Sequence, residues 1–216
     1  MIKRISLVAA LATVPAAAFG EGHSVAAKAG ALGLGVEYGY SINERFAVRF
    51  GLNGAEYGFD AEESGIDYDF DLVWDSLSIA ADFHPTGGPL RLTVGLLRND
   101  NRLEATSRAA DIITVGDEAY TPVEIGTLYG RIGFDDTATF AGIGWDWSRK
   151  RNRFGVSFDI GVVDQGAPTV SLRASGPIAT DPQFVADLEA ERQELQGELD
   201  DLDLVPYGSL GFVFRF

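Results

Sequence analysis

From Ala31 onward the chain alternates bulky apolar residues with small or polar ones, the period of β-strands whose two faces meet different surroundings. Over residues 154–162 the even positions are Phe154, Val156, Phe158, Ile160 and Val162, and between them stand Gly155, Ser157, Asp159 and Gly161. The C-terminal run does the same, with Leu210, Phe212, Phe214 and Phe216 against Ser209, Gly211, Val213 and Arg215. Residues 32–40, 46–52, 90–96 and, less cleanly, 138–147 follow suit. Across 68–83 the phase reverses: Tyr68, Phe70, Leu72 and Trp74 are even, whereas Leu77, Ile79, Ala81 and Phe83 are odd. A β-bulge near Asp75 and Ser76 is expected to absorb that slip.

Seven strands follow, over residues 26–40, 46–57, 68–83, 90–101, 137–148, 154–163 and 204–216. Short connections rich in turn formers or charge lie at 42–45, 85–89 and 149–152, and longer ones near 60–65, 107–135 and 176–203. Tight turns alternating with long loops describe an up-and-down barrel, and bacterial barrels have an even strand number. The eighth strand is expected either within 112–134, where 123–134 has strand character, or at 169–174. One segment breaks the β pattern. Asp181 can cap a helix that has Pro182 at its first position, and Phe184, Leu188, Leu195, Leu199 and Leu202 recur at helical spacing. An amphipathic helix of about 181–201 before the last strand is predicted, its apolar stripe resting on a barrel rim.

The first 20 residues read as a removable signal: basic Lys3 and Arg4, an apolar run over 5–14, and a small-residue cleavage site at Ala16-Ala17-Ala18 or Ala18-Phe19-Gly20. Residues 21–216 then form one domain of an exported protein. Its net charge of −15 repels phosphate backbones, so nucleic acid is a poor partner. With no cysteine there are no disulfides or thiolate metal sites. No mature segment holds the ~18 consecutive apolar residues of a membrane helix, so a membrane would be crossed by strands.

Both a membrane barrel and a soluble lipocalin-like barrel have one apolar face, so the other face decides. Here it is rich in glycine: Gly33, Gly35, Gly39, Gly51, Gly95, Gly142, Gly144, Gly155, Gly161 and Gly211. That suits a crowded, curved lumen better than a water-facing surface. Phe46, Phe50, Leu92 and Phe158 then form a hydrocarbon band, with Tyr38, Tyr40, Trp74, Trp145 and Trp147 as interfacial girdles.

The segments Gly33–Glu37, 90–101, Gly142–Trp145, Phe158–Gly161 and Gly211–Phe216 resemble the small outer-membrane β-barrels of Gram-negative bacteria, in the style of the OmpA transmembrane domain, OmpX and OmpW. The likeness spans nearly the whole mature chain and is greatest to a proteobacterial group of such barrels. It implies an all-β, closed, antiparallel transmembrane barrel of about eight strands in the cell outer membrane. It also implies that Phe212, Phe214 and Phe216 form the signal read by the outer-membrane assembly machinery. The partners implied are that machinery, outer-membrane lipid and lipopolysaccharide. A monomer is expected.

Ionisable residues recur at one height on the glycine-rich face. Glu37 and Arg49, Asp82 and Arg91, and Asp146 and Arg153 flank the three short turns, and Asp159 and Arg215 can join them. Cross-strand neighbours of opposite sign predict a ring of paired charges, serving as a structural plug or as a constriction selecting solutes. An interior of about eight strands is just wide enough to be filled by side chains, which favours the plug. Asp67, Asp69 and Asp71 share one strand face and could hold a divalent cation, ordinary hydration being the plainer reading. Catalysis has little material: His23 lies beside the cleavage site, His84 precedes Pro85 in a turn, and Ser76 and Ser78 are roughly 20 Å further along the strand. No resident metal, cofactor or catalytic residue is assigned. A structural or weakly permeable barrel is the reading; a lipid-modifying enzyme and a surface adhesin or receptor are the alternatives.

Overall fold

The computed structural model describes residues 4–6, 21–63, 66–109, 112–115, 118–149 and 153–216. In chain order the elements are β1 (Arg4–Ser6), β2 (His23–Gly30), β3 (Gly33–Ser41), β4 (Phe46–Glu63), β5 (Ile66–Phe83), β6 (Leu90–Asn99), β7 (Arg102–Ala109), β8 (Ile113–Val115) and β9 (Glu118–Tyr120). There follow α1 (Pro122–Ile125), β10 (Thr127–Gly133), β11 (Thr137–Asp146), β12 (Phe154–Asp164), β13 (Thr169–Ala174), α2 (Pro182–Leu199) and β14 (Leu204–Arg215). Eight strands close an antiparallel barrel in the order β2, β3, β4, β5, β6, β11, β12 and β14, with β14 pairing back onto β2. Apart from the backbone of Arg4–Ser6, which pairs with β4 at Glu56–Gly58, the expected signal segment lies outside the described residues.

The eighth strand is not where the sequence placed it. Residues 26–40 are two strands, β2 and β3, joined at Ala31 and Leu32, with Gly33 at φ +88° making the reversal. Only a glycine takes that backbone conformation without strain, and a Cβ there would press on Trp74 at 3.0 Å. Residues 127–133 and 169–174 are strands as well, but they prolong existing staves. β6 and β7 keep one register against β5, from Phe83↔Leu92 to Ile66↔Ala109. β11 and β10 keep one register against them, from Trp145↔Leu90 to Thr127↔Arg108. Five staves thus rise past the short β2, β3 and β14 as a projecting sheet, opposite the end that holds the short turns and the C-terminus.

The phase reversal in β5 has a different cause from a bulge. β4 and β5 pair without a slip from Phe46↔Phe83 to Glu63↔Ile66. The backbone alternation is unbroken; what inverts is the solvent. Below Asp75 the outward side chains are Leu77, Ile79 and Phe83, all exposed, while Ser76, Ala80 and Asp82 face the lumen and are buried. Above it the inward face turns aromatic, with Phe59 stacked on Phe70 at 5.1 Å. Trp74 is on that inward face, so it is not part of an outer girdle. Its indole N–H donates to Ala31 O at 3.0 Å, tying β5 to the β2–β3 turn.

An exposed apolar belt encircles the barrel. Phe46, Phe50, Leu92, Val94, Ile143, Val156, Ile160, Leu210 and Phe212 all point outward, and Phe158 stacks on Trp145. From Phe154 to Val162 this face spans ~26 Å along the strand. Trp147 and Tyr40 are exposed near the short-turn end.

α2 forms where predicted. Asp181 accepts hydrogen bonds from the Gln183 and Phe184 N–H groups, and Pro182 opens the first turn. Its stripe rests on the projecting sheet rather than on the barrel rim. Phe184, 1% exposed, packs with Val115 and Ile125 against Leu128 and Ala174, edge-on to Tyr120. Gln196 fastens the far end, donating to Pro168 O and accepting from Val170 N–H. The lone base of the helix, Arg192, donates to Glu189 at 2.7 Å and draws that exposed carboxyl down to about 2.

Phe184→Ala removes the anchor of α2, a change that costs about 3–5 kcal/mol at buried aromatic sites. Limited proteolysis is expected to cut within 182–199 far faster in this variant, while the strands that close the barrel stay protected.

Candidate functional site in the barrel lumen

Each of the eight barrel strands turns one ionisable side chain into the lumen. Around the ring these are Lys28 on β2, Glu37 on β3, Arg49 on β4, Asp82 on β5, Arg91 on β6, Asp146 on β11, Asp159 on β12 and Arg215 on β14. The signs alternate except where Asp146 adjoins Asp159 and where Arg215 adjoins Lys28 across the closing β14–β2 pair, and four cations balance four anions. Arg49 forks onto Asp82, Nε at 2.6 Å and Nη2 at 2.9 Å, and its Nη1 reaches Glu37 at 2.7 Å. Thr93 donates to Asp82 at 2.7 Å. Across the lumen Arg91 donates to both oxygens of Asp159 at 2.8 and 2.9 Å. Lys28 bridges Asp159 at 2.8 Å and Glu37 at 3.3 Å. Arg215 closes the ring on Asp146 at 2.7 Å and donates to Ser148 and Ser41. Forked, charge-assisted bonds of this kind are roughly twice as strong as hydrogen bonds between neutral groups.

The glycines make room for this layer. Arg49 lies opposite Gly39 and Ala80, Arg91 opposite Gly144, Lys28 opposite Gly211 and Gly35, and Glu37 opposite Gly51 and Ala26. A Cβ on Gly144 would collide with Asp159 Oδ1 and lie 2.8 Å from Arg91 Nε. Beyond the layer, toward the projecting sheet, Leu97, Ala138 and Val163 pack with Leu32, Phe140 and Tyr207 inside the barrel. Two small cavities flank the charges: about 20 Å³ on the short-turn side and about 50 Å³ on the other. Glu37 and Arg49 border both.

Seven of the eight residues named from sequence are in the layer. Arg153 is not: its side chain is exposed at the rim, and only its carbonyl takes part, accepting the Arg215 N–H at 2.7 Å. Asp146 meets Arg215 instead, because Arg153 precedes β12 and has left the lumen face. Asp82 pairs with Arg49 rather than Arg91, since its direct neighbour on β6 is Thr93. Lys28 was missed because residues 26–40 read as one strand. With a hairpin at 31–32, Lys28 falls opposite Gly35 on the inward face.

The other candidates stand apart from the lumen. Asp69 and Asp71 lie on the outer face of the projecting sheet, in register with Asp60 and Gly58 of β4, while the Asp67 side chain lies outside the described residues. No cluster of three metal-ligating residues occurs among the described residues. Phe212 and Phe214 point outward from the closing strand, both against Phe154, and Phe214 meets Phe216 edge-on.

At the short-turn mouth, His84 is 1% exposed. Its Nδ1 faces Gly88 O and Leu90 O at 3.0 and 3.1 Å, and its Nε2 faces Arg149 Nη1. A guanidinium only donates, so Nε2 accepts and Nδ1 carries the proton: the ring is neutral. Arg149 also donates to Glu44 O at 3.0 Å, so one strap joins all three short turns. His23 Nδ1 meets the Tyr38 hydroxyl at 2.6 Å.

Burial, and then the Arg149 charge, push the His84 pKa below its ordinary value of 6.5. The unfolded chain therefore binds a proton that the folded one refuses. Stability from this contact is complete above about pH 6.5 and declines as the pH falls through that value. Thermal unfolding in detergent between pH 8 and 5 is expected to show that decline, and His84→Gln to flatten it.

No family model matches the sequence, and no curated protein matches it. Solved structures do share the fold. The crystal structure of Acinetobacter baumannii CarO is 21% identical with a TM-score of 0.61, over 91% of this chain and 98% of that one. That of Acinetobacter baumannii CarO2 is 20% identical with a TM-score of 0.62, over 92% and 100%. Ail, the attachment invasion locus protein of Yersinia pestis, matches more loosely, with a TM-score of 0.42 at 14% identity, over 91% and 100%. The chain has the fold of a small, closed, eight-stranded β-barrel of the kind these two CarO structures display.

Proposed function

We propose that this protein is a monomeric outer-membrane β-barrel, exported through its N-terminal segment, whose role is structural and whose lumen is at most weakly permeable to small solutes. The observation that carries the reading is the charge-neutral layer with one ionisable group from every barrel strand, bordered on each side by a cavity of about 20 or 50 Å³. Spaces of that size suit water molecules rather than a solute stream. The outward belt suits acyl chains, which leave a strand no polar partner but its neighbours. In this reading the short turns and C-terminus face the periplasm, and the projecting sheet with α2 faces outward toward lipopolysaccharide. Phe212, Phe214 and Phe216 then serve as the aromatic end that the assembly machinery reads.

Enzymatic lipid modification has less support: both ring nitrogens of His84 face an arginine and backbone carbonyls, and the imidazole is thereby held as a fastening.

Arg91→Ala takes from the buried Asp159 its forked partner and leaves it Lys28 at 2.8 Å and Arg49 at 3.9 Å, a loss of about 3–5 kcal/mol for one broken buried pair. In planar bilayers the wild type and Arg91→Ala are both expected to give no sustained single-channel conductance, while the variant unfolds at lower temperature. A stable wild-type conductance whose ion selectivity changes in Arg91→Ala would replace the plug with a selective constriction.

A further inference from the structure

β4 has a long partner on one side only. β5 accompanies it to Glu63, whereas β3 leaves it at Asn53, opposite Gly35. Along the edge beyond Asn53 the pairing strand is β1, with Arg4↔Gly58, Ile5↔Tyr57 and Ser6↔Glu56. Hydrogen bonds at the foot of β4 fix which residues face that edge. His84 N–H donates to Arg45 O, and Ile42 N–H donates to Phe46 O. Odd-numbered residues of β4 therefore direct their backbone groups to β5, and even-numbered ones direct theirs the other way. Glu56 and Gly58 thus present N–H and C=O groups to the edge, where β1 takes them up. The inference rests on the export reading above, in which residues 1–20 are removed, because their removal strips β1 from β4.

Nothing in β4 makes this edge refuse another strand. Residues 54–63 contain neither Pro nor Lys, and the register against β5 has no bulge; those are the usual protections of an edge. The two faces beside it differ. Glu56 and Asp71 are exposed on the outer face, where Asp60 and Asp69 lie in register. The one base of these two strands, Arg49, is in the lumen. The inner face is aromatic: Tyr57 and Phe59 are 5.9 Å apart, and Phe70 stacks on both Phe59 and Tyr68.

We propose that the β4 edge is a docking site for an extended segment of another protein, added as an antiparallel strand in which basic residues alternate with apolar ones. Backbone hydrogen bonds to the even-numbered residues hold such a strand, and alternate side chains give it specificity. Its basic residues fall on the acidic outer face and its apolar residues on the aromatic inner one. β1 has that alternation at its register positions, with Arg4 at Gly58 and Ile5 at Tyr57. A second copy of this chain does not fit. Two β4 edges paired about Gly58 would set Glu56 of each against Asp60 of the other, and like charges directly opposite are destabilising.

The test uses protein isolated from outer membranes in detergent, its N-terminus read from the intact mass. The probe is a fluorescent heptapeptide with arginine at odd positions and isoleucine at even ones. Its anisotropy is expected to rise along a saturating curve, and a glutamate-for-arginine peptide is expected not to bind. N-methylation of two arginine amides, which face β4, is expected to abolish binding, and N-methylation of two isoleucine amides, which face away, to spare it. Glu56→Pro removes an edge-facing N–H and is expected to weaken binding by about tenfold. A processed chain that ignores the peptide, equal binding of the two methylated peptides, or indifference to Glu56→Pro would overturn the proposal. A mass that still includes residues 1–20 would overturn instead the export reading that empties the edge.

Discussion

A charge taken out of water must meet its opposite at hydrogen-bond distance, and the barrel is organised around that requirement. Eight ionisable groups, one per strand, sit between 2% and 18% exposed in a lumen too narrow for bulk water. Isolated, each would cost several kcal/mol; forked onto one another they lock neighbouring strands in register. A slip of one residue in any strand would carry its charge to the apolar exterior and an apolar side chain into the ring. Register and charge pairing therefore enforce each other. The glycines follow from the same requirement, since arginine and lysine side chains can cross the lumen only where the strand opposite has no bulk.

The second organising constraint is the change of solvent along each stave. In the barrel the bulky side chains point outward, and in the projecting sheet those of β5 point inward, with the crossover at Asp75 and Ser76. The backbone passes this point without a bulge. Where apolar material surrounds the sheet, the outer face is greasy; where water does, the sheet instead buries its inner face under α2 and against its own aromatic rows. Trp74 marks the boundary, reaching over the lumen to the β2–β3 turn.

The two ends of the barrel differ accordingly. The short-turn end is tied by polar fastenings: Arg149 to His84 and to the Glu44 carbonyl, and Arg215 to Asp146, Ser148 and Ser41. The other end is closed by the packing of Leu32, Leu97, Phe140 and Tyr207 and by an acidic helix anchored at Phe184. The passive, plugged barrel proposed above is consistent with both.

Alternation by itself determined most of the strands, which faces are apolar, the three short turns, and the helix with its Asp181 cap, because these depend on neighbours a few residues apart. It also located seven members of the lumen layer, since side chains two residues apart share a face. Tertiary structure decided the rest. Whether residues 26–40 are one strand or two depends on a glycine turn beneath Trp74, a residue more than forty positions away in the chain. Whether 127–133 and 169–174 are new strands or continuations depends on the register of long-range pairing. The choice of Arg215 over Arg153 as the partner of Asp146 was made by the closing of β14 onto β12 and β2, which places the last strand's guanidinium inside the ring and leaves Arg153 at the rim. Local pattern reports which way a side chain faces; only closure of the barrel establishes what it meets there.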